Sequence, residues 1–255
     1  MEQVVSFPRY FFIVTFVLMS MAAWIGAALL RRSKPLDSDA RKDFEVVKSA
    51  TLTLLALVIG FSLSMAVGRY DQRKNYEEEE ANAIGTEFLR ADLLPAAEAA
   101  AIRSLLAQYI EQRIRFYQVR DPHELDEINS KTAELQTELW AAAHTGAAHQ
   151  PTPLTALAVA GMNDVINTQG YTQAAWRNRL PLESWSLMIV LGVFSNLLVG
   201  YGSRSTAPKK LFLLIMPTVV ALSFMLIADI DSPRRGVIRV VPQNLMSTAH
   251  SLPKS

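Results

Sequence analysis

Residues 49–73 read SATLTLLALVIGFSLSMAVGRYDQR. Ser49–Gly68 carry no charge, and Arg69, Asp71 and Arg73 follow at once. A helix rises about 1.5 Å per residue, so a stretch of this length crosses about 30 Å, the hydrocarbon thickness of a bilayer. Nothing breaks the helix where the charges begin. Apolar residues recur at helical spacing through Ala81, Ile84, Phe88 and Leu93, and the first proline is Pro95. The stretch therefore predicts one helix that crosses a membrane, leaves it at Arg69 and continues into water until Leu94-Pro95.

Three further windows lack charge: Tyr10–Leu30, Ser184–Ser203 and Leu211–Ala228. Their flanks are charged (Arg31 and Arg32, Glu183 and Arg204, Lys210 and Asp229), and Tyr10, Trp185 and Tyr201 stand near their ends, as interfacial aromatics do. Pro217 interrupts the last window, which membrane helices tolerate. The first is too long an apolar stretch for a signal peptide and has no small-x-small site before Arg31, so a retained span is expected. The predicted fold is an all-α integral membrane protein. Four transmembrane helices (10–30, 49–68, 184–203, 211–228) form two hairpins around a helical polar insert (69–183), and a tail (229–255) follows. Two hairpins place the insert, the N-terminus and the tail on one side of the membrane. The positive-inside rule does not say which side. Arg31, Arg32, Lys34, Arg41, Lys42, Lys48, Arg204, Lys209 and Lys210 lie on the loop side. They are matched in number by Arg9, Arg69, Arg73, Lys74, Arg177, Arg179, Arg234, Arg235 and Arg239 on the other.

The insert reads as helices throughout. Ile102, Leu105, Leu106, Tyr109, Ile110, Ile114 and Tyr117 mark one apolar stripe, and Leu125, Ile128, Leu135 and Leu139 the next. Asp121-Pro122 starts a helix, with Asp121 as its cap, Pro122 in the first turn and Glu124 completing a capping box. Residues 146–151 read as a loop. Thr152-Pro153 starts another helix, with Leu154, Leu157, Val165, Ile166 and Trp176 as its apolar positions, and Pro181 marks the junction with the third span. The acidic run Glu77–Glu80 has two readings, a cation-binding patch or a solvated helix face. Four consecutive acids point around the helix and cannot all converge on one ion, and charge runs usually face water, so the solvated face is favoured.

Composition excludes several functions. The chain has no cysteine, and its net charge is +1. Disulfides, thiolate metal sites and cysteine nucleophiles are thereby absent, and there is no basic excess for nucleic acid. The four histidines are scattered. No nucleotide-binding glycine loop, H-E-x-x-H or G-x-S-x-G occurs, so neither a cofactor, a metal nor an enzymatic activity is expected. No Asp, Glu, Lys, Arg or His lies inside any predicted span. Pumps and proton relays usually need one there, whereas a passive pore can gate at an apolar constriction. Charges gather instead at the exits of spans two and four, as Arg69, Asp71 and Arg73, and as Asp229, Asp231 and Arg235. Two readings stay open: pairing between these clusters where the membrane ends, or independent snorkelling charges.

These residues carry a family likeness. LVIGFSLSMAVGRYDQR (57–73) resembles the second span of bestrophins, with a Gly-Phe pair ahead of an Arg-aromatic step, and IADIDSPRRG (227–236) resembles the acidic-Pro-x-Gly turn after their last span. RYDQR, EEANAIGTEFLRADLLP (79–95) and DSPRRG are similar to signature stretches of the bacterial bestrophin-like family. The resemblance implies an oligomeric, pentameric passive channel for small ions in the bacterial inner membrane, with the insert and both termini in the cytosol. It implies a pore lined by span two, with Thr53, Leu57 and Phe61 as the neck and Ser64 and Gly68 on the same face. Thr53 departs from the apolar pattern of such necks. Arg234, Arg235 and Arg239 stand where the calcium-binding acids of animal bestrophins continue, so calcium gating is not expected. The rival expectation is a non-conducting membrane scaffold or sensor whose insert binds a partner.

Overall fold

The computed structural model describes residues 7–30, 37–203, 211 and 213–253. The cations at 31, 32, 34, 204, 209 and 210, which enter the charge comparison above, lie outside the described residues. The described residues form helices and connecting turns, with no strand among them. In chain order these are α1 (Pro8–Ile25), continued as a π-helix over Gly26–Leu30, α2 (Ser38–Arg90), α3 (Ala96–Gln118), α4 (Pro122–His149), α5 (Pro153–Arg177), α6 (Leu182–Gly202), α7 (Ile215–Asp231) and α8 (Gln243–Ser251). The chain divides into two compact units, residues 1–69 with 179–238 and residues 70–178 with 239–255.

Among the described residues, three helical stretches are long and apolar enough to cross a membrane: Pro8–Ala28, Ala40–Leu93 and Pro153–Gly202. The fourth uncharged window corresponds to α7, which has 17 residues. In the first unit α1 packs against α6 and α7 through aromatic edges and missing side chains. The Phe11 ring meets Trp185 edge-on at 5.1 Å and stacks on Phe224 at 6.5 Å. Further along, glycines let the helices meet backbone to backbone. A Cβ on Gly26 would lie 2.1 Å from the Leu197 carbonyl oxygen, and one on Gly200 would lie 2.0 Å from that of Ala23. Apolar burial drives little association between helices in lipid, so such close approach is what holds spans together. At the other side of α6, Phe44 of α2 meets Tyr201 edge-on at 5.3 Å and fills the space above Gly202.

α2 is one helix of 53 residues, about 80 Å long at 1.5 Å per residue. It runs unbroken past Arg69, as its sequence implies, and ends in a short 3-10 turn at Ala91–Leu93 ahead of Pro95. In the second unit its later part packs with α3, α4 and α5. Ile84, Ile102, Leu106, Tyr109, Ile128, Leu135, Leu139, Met162 and Val165 form the centre of that core. Phe116, Tyr117 and Trp176 meet ring to ring within 5.0–5.5 Å.

Local signals are mostly as the sequence implies. Asp121 caps α4 by accepting from the N–H groups of His123 and Glu124, and Thr152 caps α5. The details differ in four places. Glu124 pairs with Arg115 at 3.0 Å rather than closing a box, and the box is made by Thr152 with Thr155. Residues 146–149 are not loop. α4 continues to His149, because Gly146 is a buried contact point against Leu94 and Glu98. On α5, Leu154 and Leu157 are exposed, and the inward stripe is Ala158, Gly161, Met162, Val165, Thr172 and Trp176, whose small residues set the phase. The last segment, expected only as a tail, forms α8, and Leu245 within it is wholly buried in the second unit's core.

Candidate functional site

In the first unit α2 has two unlike faces. Leu55, Ser62 and Ala66 are buried, whereas Thr53, Leu57, Phe61, Ser64 and Gly68 are all exposed. Phe61 is 68% exposed and Leu57 52%, so among the described residues the face expected to form the neck is left largely uncovered. Among the described residues, and apart from the helix's own nearby backbone, nothing lies within 4 Å of where a Cβ on Gly60 or Gly68 would stand. The exposed face mixes Gly, Ser and Thr with Leu and Phe.

The expected rim cluster is only partly assembled. Asp231, 3% exposed, accepts from the Leu180 N–H at 3.0 and 3.2 Å, and Arg69 Nη1 lies 3.6 Å from its Oδ1. This ties the exit of α2 and the start of α6 to the end of α7. Asp229 does not pair with an arginine of α2. Its two oxygens accept from the N–H groups of Val237 and Ile238, each at 2.8 Å. Gly236 makes this turn possible, since a Cβ there would sit 2.2 Å from the Asp229 carbonyl oxygen. Acids at a helix C-terminus oppose the helix dipole, and here backbone donors and a guanidinium offset that cost. The DSPRRG stretch is thus a self-closing turn whose carboxylates already hold protein donors. Asp71 is exposed. Arg235 is also exposed, its guanidinium 4.2 Å from the centre of the Phe7 ring.

Arg73 belongs to the second unit. It donates through Nε to the Ala175 carbonyl and through Nη2 to that of Asn178, both at 3.2 Å. These carbonyls end α5, so Arg73 acts as a cationic cap there.

The acidic run is not a solvated face. Glu78 and Glu79 are exposed, but Glu77 is 1% exposed and Glu80 is wholly buried. Glu77 accepts from the Leu245 N–H at 2.9 Å and from Asn244 Nδ2 at 2.7 Å, and so anchors the first turn of α8. Burial pushes the Glu77 carboxyl above the ordinary glutamate range, and the two donors oppose that shift. Glu80 pairs with the equally buried Arg113 and accepts from Tyr117 Oη at 3.2 Å and Thr172 Oγ1 at 3.3 Å. Burial works against the Arg113 charge, but Glu80 beside it more than compensates and raises its pKa. Burial, and then Glu80, hold the Tyr109 and Tyr117 hydroxyls protonated well above their ordinary range. Spacing carries the signal for these acids: positions 77, 80, 84, 87 and 88 share one helical face with the apolar core.

The Bestrophin-like domain matches residues 14–245, and the chain belongs to that family. Its fold is similar to crystal structures of a bacterial bestrophin homolog from Klebsiella pneumoniae. The structure obtained by Zn-SAD phasing has a TM-score of 0.64 at 14% identity, covering 96% of this chain and 99% of that one. Two single-residue variants of that homolog give TM-scores of 0.65 and 0.66 at 13% identity, covering 95% and 94% of this chain and 98% and 99% of theirs. No curated protein matches the chain.

Proposed function

We propose that this protein is an oligomeric passive ion channel of bestrophin-like type, a pentamer in the bacterial inner membrane, with α2 around its axis. Four spans, with α7 in the fourth, hold the insert and both termini on the cytosolic side. The observation that carries this reading is the exposed face of α2. Thr53, Ser64 and Gly68 are poor lipid-facing residues, and Phe61 and Leu57 are large apolar groups left largely uncovered by the described residues. A face of that composition suits a water-filled path with an apolar constriction. The uncharged spans fit passive conduction rather than coupled pumping. The family and the fold likeness support the same reading.

Purified protein in planar bilayers should give discrete currents, and Phe61→Ala should change their amplitude or open fraction. Monodisperse protein that forms no ring and carries no current would instead favour a scaffold acting through its insert.

A further inference from the structure

Glu87 lies on the inward face of α2 in the second unit. Its side chain is wholly buried, and among the described residues neither carboxyl oxygen has a hydrogen-bond partner. It is pressed against α5 at Gly161. A Cβ at that glycine would lie 2.0 Å from Glu87 Oε2 and 2.5 Å from Arg90 Nη1. The carboxyl therefore occupies the space that a side chain on α5 would need. The charged groups facing it are Arg90 on its own helix and Asp164 on α5, which lie 3.9 Å apart and are both partly or largely exposed. An ionised carboxylate in this seat would lack the donors that buried charges require. A neutral carboxyl tolerates the seat far better.

We propose that Glu87 is a proton-operated latch between α2 and α5. With its proton the carboxyl packs on Gly161. When the proton passes to water, the carboxylate leaves that seat toward Arg90, and the α2–α5 contact loosens. The latch is a property of the second unit's fold and holds whether or not the protein conducts ions.

Burial pushes the Glu87 pKa from 4.5 up to about 8, with Arg90 opposing and Asp164 adding to the rise. The native state thus keeps a proton that the unfolded chain has released. Stability from this group is fully present below about pH 4.5, falls as pH rises through the window, and is lost above about pH 8.

Hydrogen exchange of residues 155–166 in the full-length protein in detergent tests the latch, with the infrared band of a protonated carboxyl as a second readout. After correction for intrinsic exchange, protection should fall about tenfold or more between about pH 6 and about pH 9.5 in the unaltered protein, and stay level in Glu87→Gln. The carboxyl band should be present at the lower pH, vanish at the higher, and be missing from Glu87→Gln. Asp164→Asn, an exposed change, should move the transition to lower pH, which keeps the test open if Glu87→Gln folds poorly. The proposal is overturned by protection that is indifferent to pH, by an equal fall in Glu87→Gln, by a band that survives that substitution, or by an unmoved midpoint in Asp164→Asn.

Discussion

Glu80 on α2 and Arg113 on α3 are both wholly buried and form an ion pair in the core of the second unit. The pair is surrounded by its own donors and rings. Tyr117 and Thr172 donate to Glu80, and the Arg113 guanidinium lies 4.3 Å from the centre of the Phe116 ring. Removing one partner of such a pair strands a buried charge, which costs about 3–5 kcal/mol. Glu80→Ala should therefore lower the thermal midpoint of the detergent-solubilised protein sharply. Replacing Glu80 and Arg113 together by methionine should recover most of the loss, and a double variant as unstable as Glu80→Ala would refute this account.

Asp231 makes a different kind of tie. It holds the Leu180 N–H just ahead of α6 and faces Arg69 of α2. Asp231→Ala leaves that buried N–H without an acceptor, at a cost of about 1–3 kcal/mol. Asp231→Asn keeps an acceptor for Leu180 and removes the charge, which faces Arg69, so its loss in thermal stability should be smaller. Equal losses would mean that the charge, rather than the backbone bond, carries the stabilisation.

Much of this fold was legible because membranes and helices leave coarse signatures. An uncharged run as long as Ser49–Gly68, followed by charge without a breaker, specifies one continuous helix whatever its neighbours do. The caps at Asp121 and Thr152 are local chemistry and hold for the same reason. The buried acids were less legible, because a charge run ordinarily faces water. Glu77 and Glu80 fall in phase with Ile84 and Phe88, yet their burial depends on donors remote in sequence: Leu245 and Asn244 for one, Arg113, Tyr117 and Thr172 for the other. The rim cluster was half legible for a similar reason. Charge alone left open whether Asp229 or Asp231 faces the arginines of α2 or whether these charges stand apart. Asp231 faces Arg69, whereas backbone N–H groups in the turn capture Asp229.

The contact of Glu77 with α8 predicts a local effect. α8 has nine residues, too few to persist alone in water. Leu245, the two bonds to Glu77 and the packing of Ala249 against the same core seat it. Glu77→Ala should speed proteolysis within residues 239–253 by about tenfold while leaving protection in α3 and α4 nearly unchanged. A uniform loss of protection across the second unit would show instead that Glu77 supports the whole core.

Glycines in the first unit separate packing from function. Gly26 and Gly200 serve one close crossing, with backbone oxygens about 2 Å from where each Cβ would lie. Gly200→Ala must push α1 and α6 apart and should cost about 1–3 kcal/mol. Once they are apart, Gly26→Ala adds little, so the double variant should be clearly less destabilised than the sum of the single ones. A Cβ at Gly60 or Gly68 on α2 would meet no described residue within 4 Å beyond the helix's own nearby backbone. Alanine there should leave thermal stability unchanged or raise it by about 0.5–1 kcal/mol through helix propensity alone. If the exposed face of α2 lines an ion path, these same two variants should alter the single-channel current despite their intact fold. An altered current with unaltered stability would place the function of Gly60 and Gly68 outside their own chain, toward the axis. Unaltered current in both would remove that face from the conducting path.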